Sequence, residues 1–528
     1  MHDANREPTA AYAYEALLRY NFFPLVKNRR DDIPPVFHSE QFTPQIADEL
    51  IAAKESQNRK EGFDQIAYRV NRFDNTIRRM DIPHPLPFAR LSKCLSDNWA
   101  KLDYVYTSAE SQIKPKRHAG RLVVMHDYDC GRLVILDNQR FGPRMEQFLQ
   151  LTTGSLYRTI ADVANCFPSM YTHAIPWALV GHAPAKQDRN KKEKWFNKLD
   201  FFQRSMKRHE TIGIPVGPAS SNVIAEIVLC RIDEKLRELG YRFVRFIDDY
   251  HCYTKSEEQA EKFLRDLDLA LDDFQLKLNR KKIRVDRLPQ PANASWLDQI
   301  LVAIGETDKV SQSQMATLLD TSLKLHRQYE DANVLKYAAT VLSKKLDSKN
   351  ALLFFSYLLQ FGFHHSTVLP IAAEVLKKYK LVVSESIAIE LIKTHLEYHR
   401  SDAVCWSLLI AKLSGIAVPD ELAEAIILSK DVMSIGMLLA MQEHLDKIDG
   451  HLMSLPIDDV YTLDQNWILI FERSRPEGAV RSRFAAYCGE SGLTILREKG
   501  IRFIDQTQLE VDEAKQEAAE PLYNRETV

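Results

Sequence analysis

The stretch YRFVRFIDDYHCYTK (241–255) reads as two β runs joined at Asp248-Asp249, a short hairpin with two adjacent carboxylates at its tip. Two like charges side by side repel one another, and a hard divalent cation, which prefers oxygen ligands, removes that conflict. A plain turn is the bland alternative, since Asp is a common turn residue. The surroundings weigh against it. Upstream, LYRTIADV is β-rich and ends on Asp162. Between the two acidic sites, IGIPVGPASSNVIAEIVLCRIDEKL places Gly213 and Gly217 in a tight loop, followed by a mostly buried helix started by Ser221 or Asn222. Downstream, Ser256 caps a helix with acids in its first turn.

The chain has 528 residues, which allows two to four domains. Only 18 residues are glycine, and helix-forming residues abound, which argues against an all-β fold. The formal net charge is −2, so any nucleic-acid surface must be local. Two basic stretches are candidates. Residues 186–209 (KQDRNKKEKWFNKLDFFQRSMKRH) interleave Lys and Arg with Trp195, Phe196, Phe201 and Phe202, and the second is KLNRKKIRVDR (277–287). The first equally reads as an amphipathic surface helix with its aromatics inward. No run of about 20 apolar residues suggests a membrane span, and Met1–Arg6 lacks a signal-peptide core. Seven scattered cysteines without CxxC spacing read as free thiols of a cytoplasmic protein.

Three textures divide the chain. Residues 1–305 mix strands and helices: Thr43-Pro44 opens a helix, and RLVVMHDYDCGRLVILD (121–137) reads as two β segments around Cys130-Gly131. Residues 306–505 are helix after helix, in the manner of an α-solenoid without a clear consensus. Residues 506–528 are acidic and apolar-poor, a flexible tail.

Strand-Asp, glycine loop with helix, then hairpin Asp-Asp is the order of a reverse-transcriptase palm, and four segments carry the resemblance. DVANCFPSMYTHAI (162–175) resembles D-x-x-x-x-F-x-S-I-x-H, and GIPVGPASSNVIAEIVLCRID (213–233) resembles the P-Q-G segment and its helix. FIDDY (246–250) resembles Y-x-D-D, and LKLNRKKIRV (276–285) resembles L-x-L-N-x-x-K-T. Phe246 replaces the usual Tyr, and Val216 the usual Gln. The P-V-G-P variant with a helical C-terminal half is similar to bacterial abortive-infection reverse transcriptases of the AbiK group, used in antiphage defence.

That resemblance implies an α+β N-terminal half of fingers and palm, followed by an all-α, HEAT-like helical-repeat C-terminal domain. It implies a nucleotidyltransferase that polymerises dNTPs without a template, primes on its own tyrosine, keeps the single-stranded DNA product covalently attached and assembles as a homo-oligomer. Asp162, Asp248 and Asp249 match the family carboxylates around two Mg²⁺ (or Mn²⁺) ions, with the Val163 carbonyl adding an oxygen. Phe167 matches the aromatic against the sugar 2′ position, with plain core packing as its alternative. Gly217 lies in the nucleotide-side loop, Lys282 matches the triphosphate lysine or else belongs to a solvated basic run, and Arg121 matches the fingers arginine. Tyr12, Tyr14, Tyr20 and Tyr523 are possible primers among 20 tyrosines, and the priming residue stays open. Two rivals remain: an RNA-templated reverse transcriptase with an RNA partner, and a helical-repeat scaffold carrying an inactive palm.

Overall fold

The computed structural model describes residues 9–24, 33–54, 59–71, 76–108, 141–291, 295–305, 309–329 and 333–509. The β segments expected at 121–137, Arg121, Cys130, Tyr523 and nearly all of the expected tail lie outside them.

Among the described residues, six strands form two sheets. β1 (Ile66–Asn71) and β2 (Ile77–Ile82) make an antiparallel hairpin pairing Ile66 with Ile82. β3 (Tyr157–Asp162), β4 (Arg242–Phe246), β5 (Asp249–Thr254) and β6 (Arg284–Arg287) form an antiparallel sheet in the order β4-β5-β3-β6. Two helices pack against this sheet region, Ala219–Glu238 and Glu257–Asp272. The first is buried along most of its length, the charged Glu226 and Asp233 included. It starts at Ala219 behind Pro218, before the expected Ser221 or Asn222, because Pro218 supplies an extended residue ahead of the first turn. The second opens on Ser256, whose hydroxyl accepts from the Gln259 N–H, as expected. Thr43 caps the helix Pro44–Ala52 in the same way.

From Ser295 the chain is helical, beginning before the expected start at 306. Successive helices pack on their sequence neighbours, for example Glu385–Glu397 on Ser401–Leu413 and Gln312–Tyr329 on Asn333–Lys344. The molecule therefore has a mixed α/β N-terminal half and a largely helical C-terminal region. The two share one core. Phe22 meets Phe88 at 4.9 Å between ring centroids and Phe503 at 5.6 Å, and Trp467 meets Phe503 edge-on at 5.0 Å. Buried polar ties cross the same boundary. Arg59 forks onto Asp464 at 2.9 and 2.5 Å, and the Asn71 N–H donates to Asp402 at 3.2 Å.

All the described cysteines are free and buried. No helix among the described residues is long and apolar enough to cross a membrane. At the chain's end, Gln506–Leu509 form a 3₁₀ turn with Leu509 buried, so the packed structure extends past the expected tail boundary at 506.

Candidate active site

β3 delivers Asp162. Its sequence alternates, burying Thr159 and Ala161, and Asp162 ends the strand as a buried carboxylate. In the β3–β5 register Asp162 pairs with Asp249, and in the β4–β5 register Asp249 pairs with Phe246. The two residues left over, Ile247 and Asp248, make the turn. Asp249 is thus the first residue of β5 rather than half of the turn: the expected tip Asp-Asp is split between loop and strand. The Val163 N–H donates to the Asp248 carbonyl at 3.1 Å and ties the turn to the end of β3. By this route the sheet gathers Asp162, Asp248 and Asp249 so that one carboxylate oxygen from each lies within 4.8 Å of the others.

Crowding and burial show in the acidities. Burial, then the neighbouring Asp248 carboxylate, then Asp162, push Asp249 up to about 7. Burial and Asp162 also raise Asp248, while Lys282 and Arg78 of β2 draw it back down. Such a group either holds protons or holds cations. Its donors are all carboxylate oxygens, the set that suits a hard divalent ion rather than a soft one.

Asp162 is the best-anchored of the three. Its Oδ1 accepts from Asn279 Nδ2 at 2.9 Å, its Oδ2 accepts from Lys282 Nζ at 2.8 Å, and its carbonyl accepts from the Asn279 N–H at 2.8 Å. The Lys282 ammonium is otherwise exposed, and Asp162 raises its pKa. Val163 is buried beside Leu278, and among the described residues no backbone N–H donates to its carbonyl.

The other candidates are reached through the backbone. Phe167 lies in the short helix Cys166–Ser169, half-buried, and its carbonyl accepts from the Ile214 N–H at 2.9 Å. The glycine loop therefore runs beside Phe167. Gly213 has φ +87 and the Pro168 carbonyl 2.8 Å from where a Cβ would sit. Gly217 has φ +134 and faces Pro24 at 2.9 Å. Between them Val216 is buried, its carbonyl accepting from the Asp81 N–H at 2.7 Å and its N–H donating to Asp81 Oδ2 at 3.1 Å. The structure thus groups Lys282 with the carboxylates and sets Phe167 against the loop. Gly217 packs instead on the N-terminal segment and β2.

In the basic stretch 186–209 the helix Trp195–Ser205 turns Phe196 and Leu199 inward, the amphipathic arrangement. Phe201 is the exception: 45% exposed, it stacks on His209 at 5.1 Å and carries Arg204 over its face. Of the possible primers, Tyr14 is buried with its hydroxyl donating to Asp48 at 2.8 Å, and burial pushes its pKa up, which suits a packing role.

Three residues near the carboxylates carried no role in the sequence reading: Asn279, Arg78 and Arg245. Asn279 stood inside the quoted LKLNRKK segment. Arg78 had no local signal. Arg245 is fully buried and forks onto Glu226 and Asp233 of the helix Ala219–Glu238.

The family model "Reverse transcriptase (RNA-dependent DNA polymerase)" matches residues 121–314, so the chain carries a reverse transcriptase domain there. No curated protein matches the chain. Among solved structures the chain is similar to apo telomerase from Candida tropicalis, at 10% identity and TM-score 0.30, covering 81% of this chain and 75% of that one. It is also similar to telomerase from Candida albicans in complex with a TWJ fragment of telomeric RNA, at 11% identity and TM-score 0.26, covering 84% of this chain and 73% of that one.

Proposed function

We propose that the chain is a nucleotidyltransferase of the reverse-transcriptase kind that joins deoxynucleotides at Asp162, Asp248 and Asp249. The observation that carries this reading is the meeting, within 4.8 Å, of three carboxylates from two separated segments, the end of β3 and the β4–β5 turn with the first residue of β5. Asp162 and Asp248, with Asp249 and the Val163 carbonyl beside them, are the residues that would hold Mg²⁺ or Mn²⁺. When bound, such ions supply an activated attacking oxygen and neutralise charge on the leaving pyrophosphate. The chain's own part is positioning. Asn279 and Lys282 orient Asp162. Lys282 and Arg78 bring positive charge to the side where a triphosphate enters. Phe167, braced by the glycine loop, is the ring that would restrict the sugar.

The finer reading is an antiphage, abortive-infection polymerase. In it, synthesis is untemplated and primed on a tyrosine of the chain, the DNA stays attached, and the protein works as a cytoplasmic homo-oligomer on a helical-repeat scaffold. The state of the loop supports relaxed template use. Val216 is turned into the core, with both its backbone groups committed to Asp81, and Gly217 is closed off by Pro24. A second, RNA-templated reading is favoured by the family description over residues 121–314.

One experiment separates the two. Purified protein is given Mg²⁺ and labelled dNTPs, with and without an RNA template and primer, and intact-mass spectrometry follows. The untemplated reading predicts nucleotides added to the chain itself without template. Product that requires the template and copies it overturns that reading in favour of the second, and no product under either condition overturns both.

A further inference from the structure

The turn that carries Asp248 is held in an unfavourable conformation. Its first residue, Ile247, has φ +60, a left-handed backbone that β-branched side chains avoid. A two-residue hairpin loop with positive φ at its first position is ordinarily built on glycine. Such a conformation persists only where the surroundings over-determine it. On one side the Asp248 carbonyl is fixed by the Val163 N–H at 3.1 Å. On the other, the Ile247 carbonyl accepts from Arg245 Nη1 at 2.7 Å.

Arg245 is itself held on every side. Its side chain lies wholly inside, on the inward face of β4, and every arm of its fork is occupied. Nε donates to both Asp233 oxygens at 3.0 Å, and Nη2 to Asp233 Oδ2 at 2.7 Å. Nη1 and Nη2 reach Glu226 Oε1 and Oε2 at 2.8 and 2.9 Å. Glu226 and Asp233 are two turns apart on one face of the helix Ala219–Glu238, so they clamp the guanidinium from a rigid element. Tyr250, buried on β5, donates its hydroxyl to Asp233 Oδ1 at 3.0 Å and brings the far side of the hairpin into the same network. The helix, β4, the turn and β5 are thereby joined through one planar cation.

We propose that Arg245 is the positioning residue of the carboxylate turn: anchored by Glu226 and Asp233, it grips the Ile247 carbonyl and so sets Asp248 against Asp162 for divalent-cation binding. The inference rests on the reading of the three carboxylates as a cation site. Arg245 touches neither cation nor nucleotide, and its effect is exerted through Asp248. Lysine cannot replace it, because one ammonium cannot hold two carboxylates and a carbonyl in the plane that the guanidinium spans.

The test measures Mn²⁺ binding by electron paramagnetic resonance and, separately, the Mg²⁺ concentration needed for half-maximal dNTP incorporation. Wild type is compared with Arg245→Lys and with the neutral combination Glu226→Leu, Asp233→Asn and Arg245→Met. The combination removes the buried charges together, so no unpaired carboxylate remains to unfold the chain. Circular dichroism and thermal melting confirm that each protein is folded. A supporting role for one metal ligand predicts cation binding weakened by about 10–100-fold in both variants, with the KM for dNTP little changed. A purely structural role predicts that the neutral combination, once folded, binds Mn²⁺ as wild type does, and that result overturns the proposal. So does an Arg245→Lys protein with wild-type affinity. If wild type binds Mn²⁺ but incorporates no nucleotide, the polymerase reading fails while the binding comparison still decides the role of Arg245.

Discussion

Asp162 and Asp249 are register partners on the last rung of the β3–β5 ladder, so the two strands end by facing carboxylate against carboxylate. An antiparallel sheet normally avoids like charges directly opposite each other. Here the conflict is compounded by Asp248 in the adjacent turn and relieved in part by Lys282 on Asp162. The rung is a stability liability without a cation, and its pH behaviour follows.

Because Asp249 is pushed up to about 7, the folded chain keeps a proton there that the unfolded chain loses at an ordinary carboxylate pKa. Stability from this group is therefore greatest at acid pH and falls as pH rises toward 7. In chelator-treated protein, Asp249→Asn should flatten this decline, and Mg²⁺ should raise the melting temperature more at pH 8 than at pH 5. Thermal unfolding across that range checks both. An equal Mg²⁺ effect at the two pH values contradicts the assignment.

Lys282→Met removes the ammonium from Asp162 while leaving Asn279 in place. Since the Lys282 side chain is well exposed, the loss of stability should stay within about 1 kcal/mol. Activity should change more than stability: the KM for dNTP is expected to rise by roughly tenfold, the equivalent of one charge-assisted contact. Steady-state incorporation kinetics read this directly, and an unchanged KM would remove Lys282 from the nucleotide side.

Gly217→Ala forces a Cβ into Pro24 at a φ that L-residues rarely adopt. A cost of about 1–3 kcal/mol is expected, seen as a lower denaturation midpoint. Incorporation should fall with it, because the loop also braces Phe167 through Ile214. Ala at Gly240, whose Cβ meets nothing within 4 Å although its φ is also positive, should cost less and serves as the control.

The halves of the chain are joined by Arg59 and Asp464, both buried, with the Tyr487 hydroxyl and the Asp64 N–H also donating to Asp464. Arg59→Met leaves that carboxylate without its cation, at an expected cost of about 3–5 kcal/mol. Chemical denaturation should show a loss of this size as one shared transition. Two separate transitions in wild type would contradict the shared core.

The carboxylate triad was legible because its signal is local: each Asp ends or adjoins a β run, and their order along the chain matches a known palm. The helical half was legible from its apolar spacing. The Arg245 network was not, although Glu226 and Asp233 sit seven residues apart in a helix and Arg245 alternates inward on β4. Charged residues in those patterns are ordinarily solvated, and only the packing of helix on hairpin shows these three to be buried together. Val216 was readable as a missing Gln but not as a core residue tied to Asp81, since that contact joins positions far apart in the chain. Arg121 lies outside the described residues, and Arg78, whose charge acts on Asp248, sits on β2 without any motif.

If nucleotides are joined where Asp162, Asp248 and Asp249 meet, the decisive measurement is the rate of labelled dNTP incorporation, with Mg²⁺, by wild type and by Asp248→Asn, both shown to be folded. Product is expected from wild type, with a loss of at least about 10²-fold in the variant, the scale on which removing a principal electrostatic group acts. Equal rates from the two proteins would contradict it.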